Sequence, residues 1–98
     1  MKNTLEFLAK HTGKTYTEKE ALALTSLNLE RNKIVDISPL AELTNLKILN
    51  LGHNEIVDIS LLAGLKNLKI LDLEGNKIVD IIAKQKLAKT LNKTNITF

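Results

Sequence analysis

The 98-residue chain has no cysteine and no tryptophan, one proline, four glycines and only three aromatic residues. Without cysteine there is no disulfide, no thiolate nucleophile and no cysteine-based zinc site. No apolar run approaches the roughly 18 residues of a membrane span, and the amino terminus has no signal-peptide pattern. These absences slightly favour the cytoplasm but leave localisation open, because a bacterial surface protein can also lack cysteine.

The net charge of +3 comes from one short segment. Residues 82–98 hold four lysines and no acid, whereas residues 1–81 hold ten basic and eleven acidic residues, a net charge of −1. The segment has no arginine, and its one aromatic residue is Phe98, so we expect no nucleic-acid partner. Its lysines are interpreted as a solvated face, with weak attraction to an anionic partner or membrane surface as the alternative.

What the chain has in abundance is leucine, isoleucine and asparagine, arranged in a repeat. Leucine occurs nineteen times, and isoleucine and asparagine ten times each. Residues 27–37 recur with few changes at 49–59 and 71–81, a spacing of 22, and residues 38–48 match residues 60–70. A fixed period of this length is the signature of a solenoid, whose coils are stabilised by stacking on their neighbours.

The Leu-x-Leu pairs in each block predict a short strand, because period-2 spacing places both leucines on one face. Three copies predict three parallel strands. Asn32, Asn54 and Asn76 then mark the turns, where an inward side chain can bond backbone groups left unpaired by neighbouring turns. One coil's interior is predicted to hold Ile34, Ile37, Leu40, Leu43 and Leu46, with their equivalents one repeat later.

The pattern Leu-x-x-Leu-x-Leu-x-x-Asn-x-Ile, followed by Asp-Ile-Ser-Pro-Leu-Ala-x-Leu-Thr-Asn-Leu, resembles the leucine-rich repeat family over about residues 24–81. It is most similar to the bacterial internalins and to the leucine-rich regulatory subunit of protein phosphatase 1. The sequence departs from the pattern where Pro39 becomes Leu61 and where Ser38 and Ser60 become Ile82. The resemblance implies an α/β fold, a short right-handed solenoid with parallel strands on the concave side and short helical or 3₁₀ turns on the convex side.

Helical caps are expected at both ends of a single domain spanning residues 1–98. An N-terminal cap over residues 1–24 would contain a helix from Asn3 or Thr4 to near Gly13, and a second from the capping box at Thr17 through Leu24. About three repeats would occupy residues 25–81. Residues 82–98 would close the array, with Ala83, Leu87, Ala88 and Leu91 on one helical side and a last strand over residues 95–98. The expectation is a complete array with two caps.

Nothing in the sequence predicts catalysis, a metal site or a cofactor. The two histidines, His11 and His53, belong to no metal-spacing motif. Asp36, Asp58 and Asp80 recur once in every repeat, which we interpret as turn capping together with Ser38 and Ser60. A remote enzymatic alternative would need His53 with Asp72 or Glu74 at the concave rim.

The strand positions that point away from the core are the most informative for function. Parallel stacking predicts that Ile48 lies beside Ile70, an exposed apolar pair flanked by polar and acidic residues and suited to binding. The alternative is that isoleucine simply suits a strand at these positions. The predicted partner-binding residues are Asn28, Glu30, Arg31, Ile48, Asn50, His53, Ile70, Asp72 and Glu74.

As the family resemblance implies, the leading hypothesis is a noncatalytic protein–protein interaction module that binds one unidentified protein through its concave strand face. The alternative is a self-assembling or structural scaffold element, because three short strands offer less than the roughly 800 Å² per partner of a standard interface. The expected oligomeric state is a monomer or a weakly self-associating species. No membrane span is expected.

Overall fold

A computed structural model describes residues 1–98 of the chain. Each coil contributes one short strand to a single sheet. A 3₁₀ turn follows each of the first two strands, and helices lie before the first strand and after the third. The elements in chain order are α1 (Lys2–Thr12), α2 (Glu18–Leu22), β1 (Ser26–Asn28), a 3₁₀ turn (Ser38–Leu40), β2 (Ile48–Asn50), a 3₁₀ turn (Ser60–Gly64), β3 (Ile70–Asp72), α3 (Ile81–Thr90) and β4 (Asn95–Thr97).

The four strands are parallel and lie in the order β1-β2-β3-β4. Leu27 pairs with Leu49 and Leu49 with Leu71, so the repeat period of the sequence is also the strand register. The last strand pairs Leu71 with Ile96. The final coil is therefore three residues longer than the others, because a helix replaces the 3₁₀ turn.

One continuous core runs through all the coils and contains 21 buried apolar residues. The predicted interior of the first coil is confirmed, because all five residues from Ile34 to Leu46 named above are buried. The equivalent residues of the second coil, Ile56 to Leu68, are buried as well. Burying each such aliphatic side chain is worth roughly 1.5–3 kcal/mol, which makes stacking the dominant stabilising interaction.

The helix that precedes β1 begins as predicted and ends earlier. Thr17 Oγ1 accepts a hydrogen bond from the Glu20 N–H, and the Glu20 carboxylate accepts one from the Thr17 N–H, which confirms the capping box. The helix stops at Leu22 rather than Leu24. The residues that follow lead the chain into the extended conformation of β1.

The first helix also differs from its predicted start. It begins at Lys2, ahead of Asn3 and Thr4, and ends at Thr12. Gly13, with a φ of 74°, forms the left-handed cap as expected. Thr4 is buried and its hydroxyl donates to the Pro39 carbonyl oxygen at 2.7 Å. That hydroxyl therefore joins α1 to the first 3₁₀ turn instead of starting the helix.

The C-terminal helix α3 packs on the second 3₁₀ turn, with Leu87 and Leu91 buried. Ala88 was predicted on the same buried side, but it is exposed, so that prediction is wrong. The helix turns Ala83 and Leu87 toward the core, which leaves Ala88 facing solvent. The Thr94 hydroxyl then donates to the Leu68 carbonyl oxygen at 2.6 Å and leads into β4. No helix of the protein is both long and apolar enough to cross a membrane.

Candidate binding surface

The outward-pointing positions of the strands and of the turns after them form one surface, which we call the strand face. Side chains alternate along each strand, so the central leucine is buried while its neighbours point away from the core. The strand face consists of Ser26, Asn28, Glu30, Arg31, Ile48, Asn50, His53, Ile70, Asp72 and Glu74. Gly52, in the same row as Glu30 and Glu74, is buried.

Two isoleucines form the apolar centre of the strand face. Ile48 pairs in register with Ile70, as predicted, and their side chains are 44% and 49% exposed. Ser26 and Asn95 continue the same row at either end. The pair is thus an exposed apolar strip bordered by polar side chains, the composition typical of the centre of a binding patch.

The next row, Asn28, Asn50 and Asp72, has a structural role that the sequence analysis did not identify. Each side-chain Oδ1 accepts a hydrogen bond from the backbone N–H two residues later, at 3.0, 2.9 and 2.9 Å. These bonds close the turn at the end of each strand. Asn50 also donates to a Glu30 carboxylate oxygen at 3.1 Å. The three residues are therefore part of the scaffold as well as of the surface.

The rim beyond the strands is shaped by left-handed backbone. Arg31, His53 and Gly75 are equivalent positions with φ values of 58°, 55° and 74°. The His53 imidazole lies against Gly75 so closely that a Cβ at Gly75 would overlap it. Arg31 pairs with Glu30 at 3.3 Å in an exposed ion pair of little energetic weight. His53 is exposed at the rim, as predicted.

Two lysines at the beginning of the strands were missed as candidate site residues. Lys47 and Lys69 directly precede β2 and β3, both are exposed, and the Lys69 N–H donates to the Lys47 carbonyl oxygen at 2.7 Å. Their recurrence at the same position of successive repeats was the signal that could have found them. With Glu30 and Glu74 beyond the other end of the strands, charge changes sign from one side of the isoleucine pair to the other.

The recurring aspartates cap turns, as the sequence predicted. The Ser38 and Ser60 N–H groups donate to Asp36 and Asp58 at 2.9 Å each. These bonds, together with weaker ones from the serine side chains, lower the pKa of both carboxyl groups. Asp80 instead caps α3 by accepting from the Ala83 N–H at 3.0 Å. The chain contains no group of three His, Asp or Glu side chains placed to hold a metal ion.

Stacked coils with a leucine core, asparagine turns and a parallel sheet define a leucine-rich repeat solenoid. The family model for leucine rich repeats matches residues 22–78, and the chain belongs to that family. The leucine-rich repeat fold is in general that of a noncatalytic protein-interaction module. A search of curated proteins finds no match to the chain.

Solved structures with the same architecture include bacterial internalins. An internalin (inlF) of Listeria monocytogenes is 30% identical with a TM-score of 0.69, covering 97% of this chain and 27% of its own. Internalin C2 of the same species is 40% identical with a TM-score of 0.60, and the match covers 72% of this chain and 30% of the internalin. A leucine-rich repeat protein of Leptospira interrogans is 30% identical with a TM-score of 0.57, and the match covers 86% of this chain and 22% of that protein. The chain therefore spans less than a third of the length of each of these relatives.

Proposed function

We propose that the strand face is the surface through which this leucine-rich repeat module binds its protein partner. The observation that carries the proposal is the Ile48–Ile70 pair, which stays roughly half exposed although it lies at the centre of the sheet. Exposed apolar side chains cost solvation free energy unless a partner covers them. The contact residues would be Asn28, Glu30, Arg31, Ile48, Asn50, His53, Ile70, Asp72 and Glu74, with Lys47 and Lys69 added at the border.

The charge arrangement supports a specific orientation of the partner. Lys47 and Lys69 border the isoleucine pair on one side, and Asp72 and Glu74 border it on the other. A partner that places an apolar side chain on the pair would be favoured if its acidic groups faced the lysines. Such complementarity sets orientation and association rate more than affinity.

Affinity capture with three immobilised baits tests the proposal. The first bait is the native chain, the second carries Ile48→Glu with Ile70→Glu, and the third carries Val57→Glu with Val79→Glu. The third is a matched control because it makes the same change at exposed aliphatic residues outside the strand face. Circular dichroism checks that all three baits are folded.

We expect a protein that is held by the native and valine-variant baits and lost from the isoleucine variant. Retention of the same proteins by all three baits contradicts the assignment of the strand face. Loss from the valine variant alone would place binding on a different surface, and capture of nothing by any bait would also count against the proposal.

A further inference from the structure

The most exposed large aliphatic side chains of the protein lie outside the strand face. They follow the asparagine turns and continue into the start of α3, and we call them the valine edge. Its members are Val35, Val57, Val79, Ile81 and Ile82, with exposed fractions of 60%, 54%, 83%, 67% and 64%. Each is more exposed than Ile48 or Ile70, so the valine edge needs an explanation independent of the proposed function.

One half of the valine edge is an acidic cleft. Between the first two coils lies a cleft of about 300 Å³, whose apolar walls include Val35, Val57 and Leu61. Asp36 and Asp58 also line it. Both carboxylates are held in place by the Ser38 and Ser60 N–H groups and remain open to solvent. The cleft therefore suits an apolar side chain accompanied by a cation.

The other half of the valine edge, at the start of α3, presents an apolar side chain beside a cation. Ile82 and Lys86 are one turn apart on α3, so they lie on the same helix face, and both line a groove between α3 and the second 3₁₀ turn. The only acid beside them in that groove is Asp80, which caps the helix. Lys86 is the only lysine that lines this groove, and Lys84 lies instead over the Phe98 ring at 5.5 Å.

We propose that the valine edge is a self-complementary contact that joins two copies of this chain about a twofold axis. Ile82 of each copy enters the cleft of the other between Val35 and Val57, and Lys86 approaches Asp36 and Asp58. Because the acidic cleft and the basic helix lie on one edge of the molecule, a twofold axis between them satisfies both halves at once. Such an isologous contact closes after two copies and does not extend into a fibre.

The size of the molecule limits the strength of this contact. The chain measures 36 by 25 by 17 Å, so a patch along one edge covers less than the roughly 800 Å² that each partner contributes to a standard interface. The dimer is therefore weak, and the dimeric fraction rises with protein concentration. Because charged pairs contribute at its border, added salt also weakens it.

Sedimentation equilibrium of the full chain tests the proposal between about 10 μM and about 1 mM, the range in which a weak dimer forms. We expect the mean mass of the native chain to rise from 10.9 kDa toward twice that value. Lys86→Glu should weaken association at least tenfold, since it repels the aspartates. Asp36→Asn with Asp58→Asn should also weaken it while retaining a side-chain oxygen for each turn.

Ile70→Ser is the matched control, because it removes an exposed isoleucine from the strand face and should leave the dimer unchanged. A native chain that stays at 10.9 kDa throughout overturns the proposal. Masses that grow beyond two copies overturn the closed twofold arrangement. Loss of association in Ile70→Ser but not in Lys86→Glu places self-association on the strand face and overturns it too. None of these results depends on the partner of the strand face.

Discussion

Asn54 is the buried polar side chain on which the turns of the first two coils depend. Its Oδ1 accepts from the Asn32 and Ile34 N–H groups, both at 2.9 Å, and its Nδ2 donates to the Leu29 and Leu51 carbonyl oxygens. It is 5% exposed. One side-chain amide therefore satisfies four backbone groups away from water, and these hydrogen bonds hold the two coils together.

Asn54→Ala should therefore lower the free energy of unfolding by about 3–5 kcal/mol, because several buried backbone groups lose their partner at about 1–3 kcal/mol each. Urea unfolding followed by circular dichroism measures the change. Asn67→Ala is the control, since Asn67 is exposed and makes one bond, to the Thr44 carbonyl oxygen at 2.7 Å. Equal losses in the two variants would contradict the role assigned to Asn54.

The contact between the His53 ring and Gly75 restricts which side chain residue 75 can carry. Gly75→Ala should cost about 1–3 kcal/mol, because alanine is strained at a φ of 74° and its Cβ meets the imidazole. In a His53→Ala background the same substitution should cost only about 1 kcal/mol, the strain alone. A double-mutant cycle by urea unfolding measures the coupling. Additive losses would show that the imidazole does not restrict this position.

At the scale of the element, the acidic caps make the turns sensitive to acid. Hydrogen bonds from Ser38 and Ser60 lower the pKa of Asp36 and Asp58 in the folded protein, and those from Thr17 lower the pKa of Glu20. A lowered folded pKa means that the unfolded chain takes up protons first as the pH falls. This stabilisation is therefore complete above the ordinary carboxyl pKa of about 4 and is lost as the pH falls through the lower folded values.

Urea midpoints measured from pH 7 to about pH 2 should fall below about pH 4, where carboxyl groups become protonated. The variant Asp36→Asn with Asp58→Asn should show a shallower fall, since asparagine keeps the acceptor oxygen and does not titrate. An unchanged pH profile in this variant would assign the acid sensitivity to other carboxyl groups.

The whole molecule behaves as a one-dimensional stack, in which each coil contacts chiefly the coils beside it. The sheet pairs only neighbouring strands, and the core is continuous from Leu8 to Leu91. The stability of such an array is close to a sum of coil and interface contributions. An added coil should thus raise the free energy of unfolding by one coil contribution and one interface contribution.

Inserting a second copy of residues 49–70 after Ile70 should raise both the urea midpoint and the dependence of the free energy of unfolding on urea, because more surface is buried. Inserting only residues 49–59 at the same point is the control. A half coil shifts the strand register and should destabilise the protein. A full-coil insertion that destabilises as much as the half coil would contradict stacking as the source of stability.

The sequence by itself determined the repeat, the strand register and the core. The reason is periodicity, because Leu27, Leu49 and Leu71 can share one interior only if one repeat makes one coil. Buried positions are held to a narrow choice of side chains, so their pattern can be read directly. Asn54, Asn76 and the capping box at Thr17 were predictable for the same reason: each satisfies backbone groups at a fixed spacing. Asn32 differs from the prediction, because its side chain bonds only the Glu30 carbonyl oxygen of its own turn.

Only the tertiary structure decided which contacts the outward residues make, since core packing does not restrict solvent-facing side chains. It showed that Asn28 and Asp72 close turns and that the His53 ring lies over Gly75. The longer last coil and the exposure of Ala88 depend on how α3 packs against the second 3₁₀ turn. Long-range packing sets that geometry, and the valine edge became visible only with it, whereas the exposed Ile48–Ile70 pair was already predicted from the repeat.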